Sequence, residues 1–212
     1  MTITIDEFEV ADPPDAWTRA GFSVDPDGVC RIGSVRIRLV GHGPHTGTGI
    51  VGWSWRGLPA DISLQDLDGV PTARSDAPFA TPATHANGAT EIDHVVLLSP
   101  DLTRTVEALA AVGVDPRRER KGELGGRSIR QIFFRLGDVI LEVVGQLDAP
   151  GNGPSVFWGI TYVVADIDAT AAFFGDRAAP VKDAVQPGRR ITTLRHHDLG
   201  ISVPSAMMSA RH

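Results

Sequence analysis

Hydrophobic and polar positions in the middle of the chain follow the order strand, helix, strand, strand, strand. Residues 92–99 are a short β-rich run, and apolar residues within 102–112 recur at the three- and four-residue spacing of one helix face. Asp101 or Ser99 is placed to cap this helix, and Gly113 to end it. This order predicts one βαβββ module. Its three remaining strands are predicted at 117–121, 129–136 and 139–144.

A second copy of the same order follows the Gly- and Pro-rich stretch 149–154. Residues 159–165 predict a strand, and 166–174 predict a short helix capped by Asp166 or Asp168. Residues 95–102 align with 160–167 without a gap, at a shift of 65 residues, which is stronger evidence for a duplication than either pattern alone. Three further strands are predicted at 181–186, 190–196 and 200–207.

A weaker third copy begins at the N-terminus, where residues 3–10 alternate apolar and charged side chains and 14–21 predict a helix. Three short strands follow within residues 29–55. The next stretch is rich in proline and lacks periodicity, which predicts a linker. The predicted division is an N-terminal βαβββ-like unit at 1–58, a linker at 59–90, a first module at 91–148 and a second at 155–209.

Composition and charge narrow the range of partners. The 212 residues are 42% hydrophobic and 22% charged, which is typical of a soluble globular protein. The net charge of −6 provides no overall basic field, so we expect no nucleic-acid partner, and we interpret the basic run 117–121 as a solvated strand end. No apolar run reaches the ~20 residues of a membrane span, and the N-terminus lacks the pattern of a secretion signal. We therefore expect a cytoplasmic protein that does not bind membranes.

Three segments together resemble a known superfamily. They are Ile-Asp-His-Val-Val-Leu at 92–97, the helix that follows Pro100-Asp101-Leu102, and Phe-Phe-Arg-Leu-Gly-Asp-Val-Ile-Leu-Glu-Val-Val at 133–144. This combination resembles the glyoxalase-like module of the vicinal oxygen chelate superfamily. The resemblance implies an α+β fold, in which tandem βαβββ modules form curved mixed sheets around a cup. Here an additional N-terminal module-like unit would be attached.

The resemblance also implies part of a metal site. Metal-binding members place ligands on the first and fourth strands of each module, and His94 and Glu142 match these positions in the first module. Such a site would hold Fe, Mn, Ni or Zn, with Glu142 as the catalytic proton carrier. In the second module the corresponding residues are Gly159 and, as the closest match, Pro204. Neither offers a side-chain ligand, whereas catalytic metals are typically held by three protein ligands.

Three interpretations remain open at this stage. The chain could be a metal-dependent lyase, isomerase or dioxygenase, or a non-catalytic small-molecule binding or sequestering protein of the bleomycin-resistance type. It could also have a structural role. In the binding hypothesis Gln131, Phe133, Trp158 and Arg190 contact the ligand, with the two aromatic side chains as stacking surfaces. Because cups are built from paired modules, the odd N-terminal unit predicts a homodimer.

Overall fold

A computed structural model describes residues 2–43, 47–60, 62, 65–124, 126–146 and 151–211. Within these ranges the chain has an α+β fold with fourteen strands in two mixed sheets and three α-helices. The predicted module boundary at residue 148 lies outside the described residues. No helix in the described ranges is both long and apolar enough to cross a bilayer.

The larger sheet has eight strands in the order β12-β13-β14-β11-β7-β10-β9-β8. Both halves have the same strand order. In each half the first strand is parallel to the fourth, the third strand lies next to the fourth, and the second strand is at the edge of the sheet. The strands are β7 (Ala89–Leu98), β8 (Pro116–Leu124), β9 (Arg127–Leu136), β10 (Val139–Gln146), β11 (Val156–Val164), β12 (Lys182–Asp183), β13 (Arg190–Thr193) and β14 (Ser205–Ser209).

Helices α2 (Leu102–Ala111) and α3 (Ile167–Phe174) follow the first strand of each half. Asp101 caps α2 by accepting from the backbone N–H of Arg104, and Asp166 caps α3 in the same way through two backbone N–H groups. The predicted pair of βαβββ modules is therefore confirmed.

The two modules meet where β7 pairs antiparallel with β11. Val95 is opposite Ile160, His94 is opposite Thr161 and Val96 is opposite Gly159. A shift of 65 residues converts each of the last two pairs into the other. The strand register thus has the local two-fold symmetry expected from the duplicated sequence.

The smaller sheet has six strands in the order β2-β3-β1-β4-β6-β5. A short helix, α1 (Pro14–Arg19), follows the first strand. Like the larger sheet, it has an antiparallel pair at its centre, here β1 with β4. Each of these two strands has a parallel neighbour on its other side, β3 and β6 respectively. The strands are β1 (Thr4–Val10), β2 (Val29–Ile32), β3 (Val35–Leu39), β4 (Ile50–Arg56), β5 (Asp66–Leu67) and β6 (Val70–Arg74).

This topology corrects the predicted N-terminal division. Strand β4 does not complete a βαβββ unit at residue 58. It lies antiparallel to β1 and pairs on its other side with β6, which in turn pairs with β5. The predicted linker 59–90 therefore contains two strands and the start of β7. Since the N-terminal segment builds a sheet with its own chain, the reason for expecting a homodimer is lost.

The two sheets share one hydrophobic core. The ring of Phe157 on β11 lies 5.7 Å from that of Phe8 and 4.8 Å from that of Trp53, both on the smaller sheet. Phe22 contacts Tyr162 in the same way, with ring centroids 5.3 Å apart. Helices α2 and α3 add Leu102, Leu109, Ile167 and Phe174 to this core. The opposite face of the eight-stranded sheet, which carries His94, Phe133 and Glu142, is the open face.

Asp68 links the smaller sheet to the first module. It lies in the β5–β6 turn in a left-handed conformation (φ 53°), and its side chain is 2% exposed. Its carboxylate accepts hydrogen bonds from Arg104 and Thr105 of α2, and from Ser155 at 2.5 Å. Buried acceptors of this kind are costly to remove, because their donors lose their partner.

We predict that Asp68→Ala lowers the free energy of unfolding by about 2–4 kcal/mol, measured by urea denaturation. The loss combines the missing acceptor with the strain of a left-handed alanine. Asp68→Asn should lose less, because asparagine tolerates this backbone conformation and keeps one acceptor oxygen. Equal stability of the wild type and both variants would contradict the assigned role.

Candidate functional site

The open face carries a cavity of about 700 Å³. Strand register explains which side chains reach it, because residues directly opposite each other point to the same face. Ile140 is opposite His94, and Glu142 is opposite Phe133 on the next strand. In the second module Ile191 and Met208 form such a pair across β13 and β14, and they also line the cavity. The floor thus combines apolar side chains with the polar side chains of His94 and Glu142.

The structure brings His94 and Glu142 together. Nε2 of His94 lies 3.9 Å from Oε2 of Glu142, and each side chain is 14% exposed. They come close because β7 and β10 are parallel neighbours, about 4.8 Å apart, with matching pleat. The two predicted metal ligands therefore lie close together on one face of the sheet.

A β-bulge places Asp93 beside His94. In the pairing with β11, His94 is opposite Thr161 and Ile92 is opposite Tyr162, which leaves Asp93 as the extra residue. Successive residues of a regular strand face opposite sides, and a bulge relaxes this rule. Oδ2 of Asp93 consequently lies 2.9 Å from Nδ1 of His94. An ionised Asp93 accepts the Nδ1–H, and Nε2 on the other side of the ring faces Glu142.

Arg189 keeps Asp93 ionised. The buried guanidinium donates to Oδ1 of Asp93 through Nη1, and to the backbone oxygen of Ser209 at 2.8 Å through Nε. Burial acts to raise the pKa of Asp93. The hydrogen bonds from His94 and Arg189, with the positive charge of Arg189, outweigh it and lower that pKa to about 2.

Glu142 is held from the other side by Gln131. The side-chain amide of Gln131 donates to Oε1 of Glu142, and Nε of Arg120 donates to the amide oxygen of Gln131 at 2.8 Å. Both His94 and Glu142 are therefore oriented by neighbouring side chains. Together these contacts form a polar row across four adjacent strands, from β8 to β7.

The second module supplies no equivalent donors. By the register of β11 and β14, Gly159 corresponds to His94 and Ala206 corresponds to Glu142. This corrects the sequence-based match of Pro204 to Glu142 by two residues. A Cβ at Gly159 would lie 2.5 Å from the backbone oxygen of Pro204, so the backbone leaves no room for any side chain there.

These residues do not provide the donor set of the metal-binding members. Across the described ranges, no group of three or more His, Cys, Asp or Glu side chains is arranged to hold a metal ion. Two donors remain, and each already has a protein partner. Typical catalytic sites supply three.

Of the four other residues predicted to contact a ligand, two lie at or beside the cavity and two lie away from it. Phe133 lines the cavity, and Gln131 contacts Glu142. Trp158 is the extra residue of another bulge and is 55% exposed, and Arg190 forms a two-point ion pair with Asp168 at 2.7 and 2.8 Å. Neither of these two lines the cavity.

Sequence reasoning missed the basic residues around the cavity. The run 117–121 was interpreted as a solvated strand end, yet three of its arginines line the cavity. Its charge was the available signal, but the pattern does not show which way each side chain points. The basic cavity-lining residues are Arg117, Arg118, Arg120, Arg135, Lys182 and Arg211.

In sequence comparisons, no protein-family model and no curated protein matches the chain. Solved structures do match. A 4-hydroxymandelate synthase variant from Streptomyces coelicolor aligns with a TM-score of 0.68 at 14% identity, over 100% of this chain and 94% of that one. A homoprotocatechuate 2,3-dioxygenase variant from B. fuscum aligns at 0.60 and 11% identity, over 100% and 73%. A catechol 2,3-dioxygenase aligns at 0.57 and 11%, over 99% and 87%. The chain shares the fold of these solved structures, which agrees with the predicted α+β fold of tandem βαβββ modules.

We predict that the Asp93 carboxylate makes stability fall in acid. Its pKa is about 2 in the folded chain against an ordinary 3.8, so its stabilising contribution is complete above about pH 4 and is lost as the pH falls through about 2. The difference corresponds to about 2.5 kcal/mol. Urea denaturation from pH 5 to pH 2 should show a shallower decline for Asp93→Asn than for the wild type. Parallel pH profiles would contradict the assignment.

We predict that Gly159→Ala destabilises the chain by about 1–3 kcal/mol, because its Cβ would collide with the Pro204 carbonyl. Gly122→Ala is the matched control, since that glycine also lies in a strand and its added Cβ would meet only ordinary contacts at 3.5 Å or more. Thermal unfolding of the two variants measures the difference. A control variant as unstable as Gly159→Ala would refute the close approach as the cause.

Proposed function

We propose that the chain binds a small organic molecule in the open-face cavity, without the four-ligand metal centre that its fold supports elsewhere. The observation behind this proposal is the pair Gly159 and Ala206, which replaces two side-chain donors with none. Because the Pro204 carbonyl fills the space beside Gly159, a side-chain donor could not be restored there without moving the backbone.

The shape and lining of the cavity support binding. Its volume of about 700 Å³ is that of a typical small-molecule site. Phe133, Ile140, Ile191 and Met208 offer an apolar floor, and His94 with Glu142 offers fixed polar groups within it. Such a combination gives affinity through burial and orientation through a few hydrogen bonds. Because neighbouring side chains already hold the polar groups, little ordering is needed on binding.

A second candidate is a metal-dependent enzyme of the lyase, isomerase or dioxygenase kind. Its specific support is the 3.9 Å separation of His94 and Glu142 on one face. Fe, Mn, Ni or Zn would be held by these two residues with donors from the substrate, and Glu142 would carry the proton. The similarity to dioxygenase structures agrees with this candidate at the level of the fold.

We predict that chelator-treated protein binds the neutral fluorescent probe N-phenyl-1-naphthylamine, and that added Mn²⁺, Fe²⁺, Ni²⁺ or Zn²⁺ leaves the affinity unchanged. Thr193→Trp should abolish probe binding, because residue 193 is exposed and lines the cavity, so the larger ring fills space without disturbing the core. Thr103→Trp, on the exposed side of α2, is the matched control and should bind like the wild type.

Metal analysis of the purified protein separates the two candidates. The binding proposal expects substoichiometric metal and no change in metal content in His94→Ala or Glu142→Ala. Stoichiometric metal that is lost in both variants would overturn it in favour of the enzyme. Probe binding that survives Thr193→Trp would show that the probe occupies another site.

A further inference from the structure

The cavity is basic although the chain is acidic. Six of the twenty Lys and Arg residues line it, against two acidic residues, while the whole chain carries a net charge of −6. The acidic residues are Glu142, which is bonded to Gln131, and Asp183. A concave surface with one sign of charge concentrates the field and attracts ligands of the opposite sign.

A further β-bulge directs two consecutive arginines toward the cavity. In the pairing of β8 with β9, Pro116 is opposite Phe134 and Arg118 is opposite Phe133, which leaves Arg117 as the extra residue. In a regular strand Arg117 and Arg118 would face opposite sides. The bulge relaxes this alternation, and both residues line the cavity.

Three arginines outside the cavity lining are held in ion pairs. Arg130 pairs with Glu119, Arg190 with Asp168, and Arg31 with Asp25. By contrast Arg117, Arg118 and Lys182 form no ion pair with any described residue. Their charges remain available to a ligand.

Apolar surface lies directly beside the charge. Phe133 occupies the floor between Arg118 on β8 and Glu142 on β10, in one line of cross-strand neighbours. A ligand lying along this line would place an apolar body on Phe133 and its charged end at the β8 rim. Arg135, two residues along β9, and Lys182 on β12 also line the cavity and add to its positive charge.

We propose that the ligand is an organic anion with an apolar, ring-containing body and a carboxylate or phosphate head, and that Arg117 and Arg118 bind the head. This inference rests on the proposed function and specifies its ligand class. Arginine suits the role because its planar guanidinium donates two parallel hydrogen bonds to a carboxylate or phosphate.

The test uses compounds that share one ring system. Naphthalene-2-carboxylate, 2-naphthyl phosphate and the uncharged naphthalene-2-carboxamide are titrated into the full chain by calorimetry at low and high salt. We expect at least one anion to bind about tenfold or more tightly than the amide, with the preference reduced at high salt. Whichever anion binds better identifies the head group.

Arg117→Gln/Arg118→Gln should remove the preference for the anion while leaving amide binding unchanged. Both residues are exposed, so the double variant is expected to fold. Arg130→Gln is the matched control, because Arg130 lies on β9 outside the cavity lining and pairs with Glu119. It should behave as the wild type.

Three outcomes would overturn the inference. Equal binding of amide and anions would refute it and leave the small-molecule proposal standing. Failure of all three compounds and of the neutral probe would refute both proposals. Displacement of the bound anion by a duplex oligonucleotide would show that the basic rim is a nucleic-acid surface instead.

Discussion

The antiparallel pairing of β7 with β11 determines how the two modules are placed beside each other. It brings two duplicated modules together with a register symmetric about Val95 and Ile160, so every position near the axis has a counterpart. One side of this sheet is committed to the core through Phe157 and Tyr162. On the other side, the open face, both members of a counterpart pair such as His94 and Gly159 point the same way. The proposed loss of the metal centre rests on two positions of this face, Gly159 and Ala206.

The smaller sheet shows the same plan with a different outcome. In β1 the extra residue of a bulge is Asp6, as Asp93 is in β7, and the following residue is Glu7 where β7 has His94. Asp6 is bound by Arg36 and Arg56, and Glu7 by Arg38. These acids thus have arginine partners within their own sheet. In the larger sheet Asp93 likewise has an arginine partner, Arg189, but Arg117, Arg118 and Lys182 line the cavity and form no ion pair with a described residue.

Much of the fold could be predicted from the sequence, because a duplicated module imposes the same polar and apolar order twice and the 65-residue shift survives in the strand register. The pairing of His94 with Glu142 followed from the same order. Strands β5 and β6 were missed because they are short, mostly exposed and interrupted by Pro71, so they leave no alternating pattern. The roles of Arg117 and Asp93 depend on bulges, which change the direction of a side chain without changing the sequence pattern. Ala206 could be identified only from the register.

A crystal structure of the protein with naphthalene-2-carboxylate, obtained in the presence of excess Mn²⁺, would show both where the ligand lies and whether a metal binds. We expect the naphthyl ring against Phe133 and the carboxylate within about 3 Å of the guanidinium of Arg117 or Arg118, with no manganese between His94 and Glu142. Manganese held by those two residues, with the carboxylate coordinated to it and away from the arginines, would refute both the metal-free site and the arginine-bound head group.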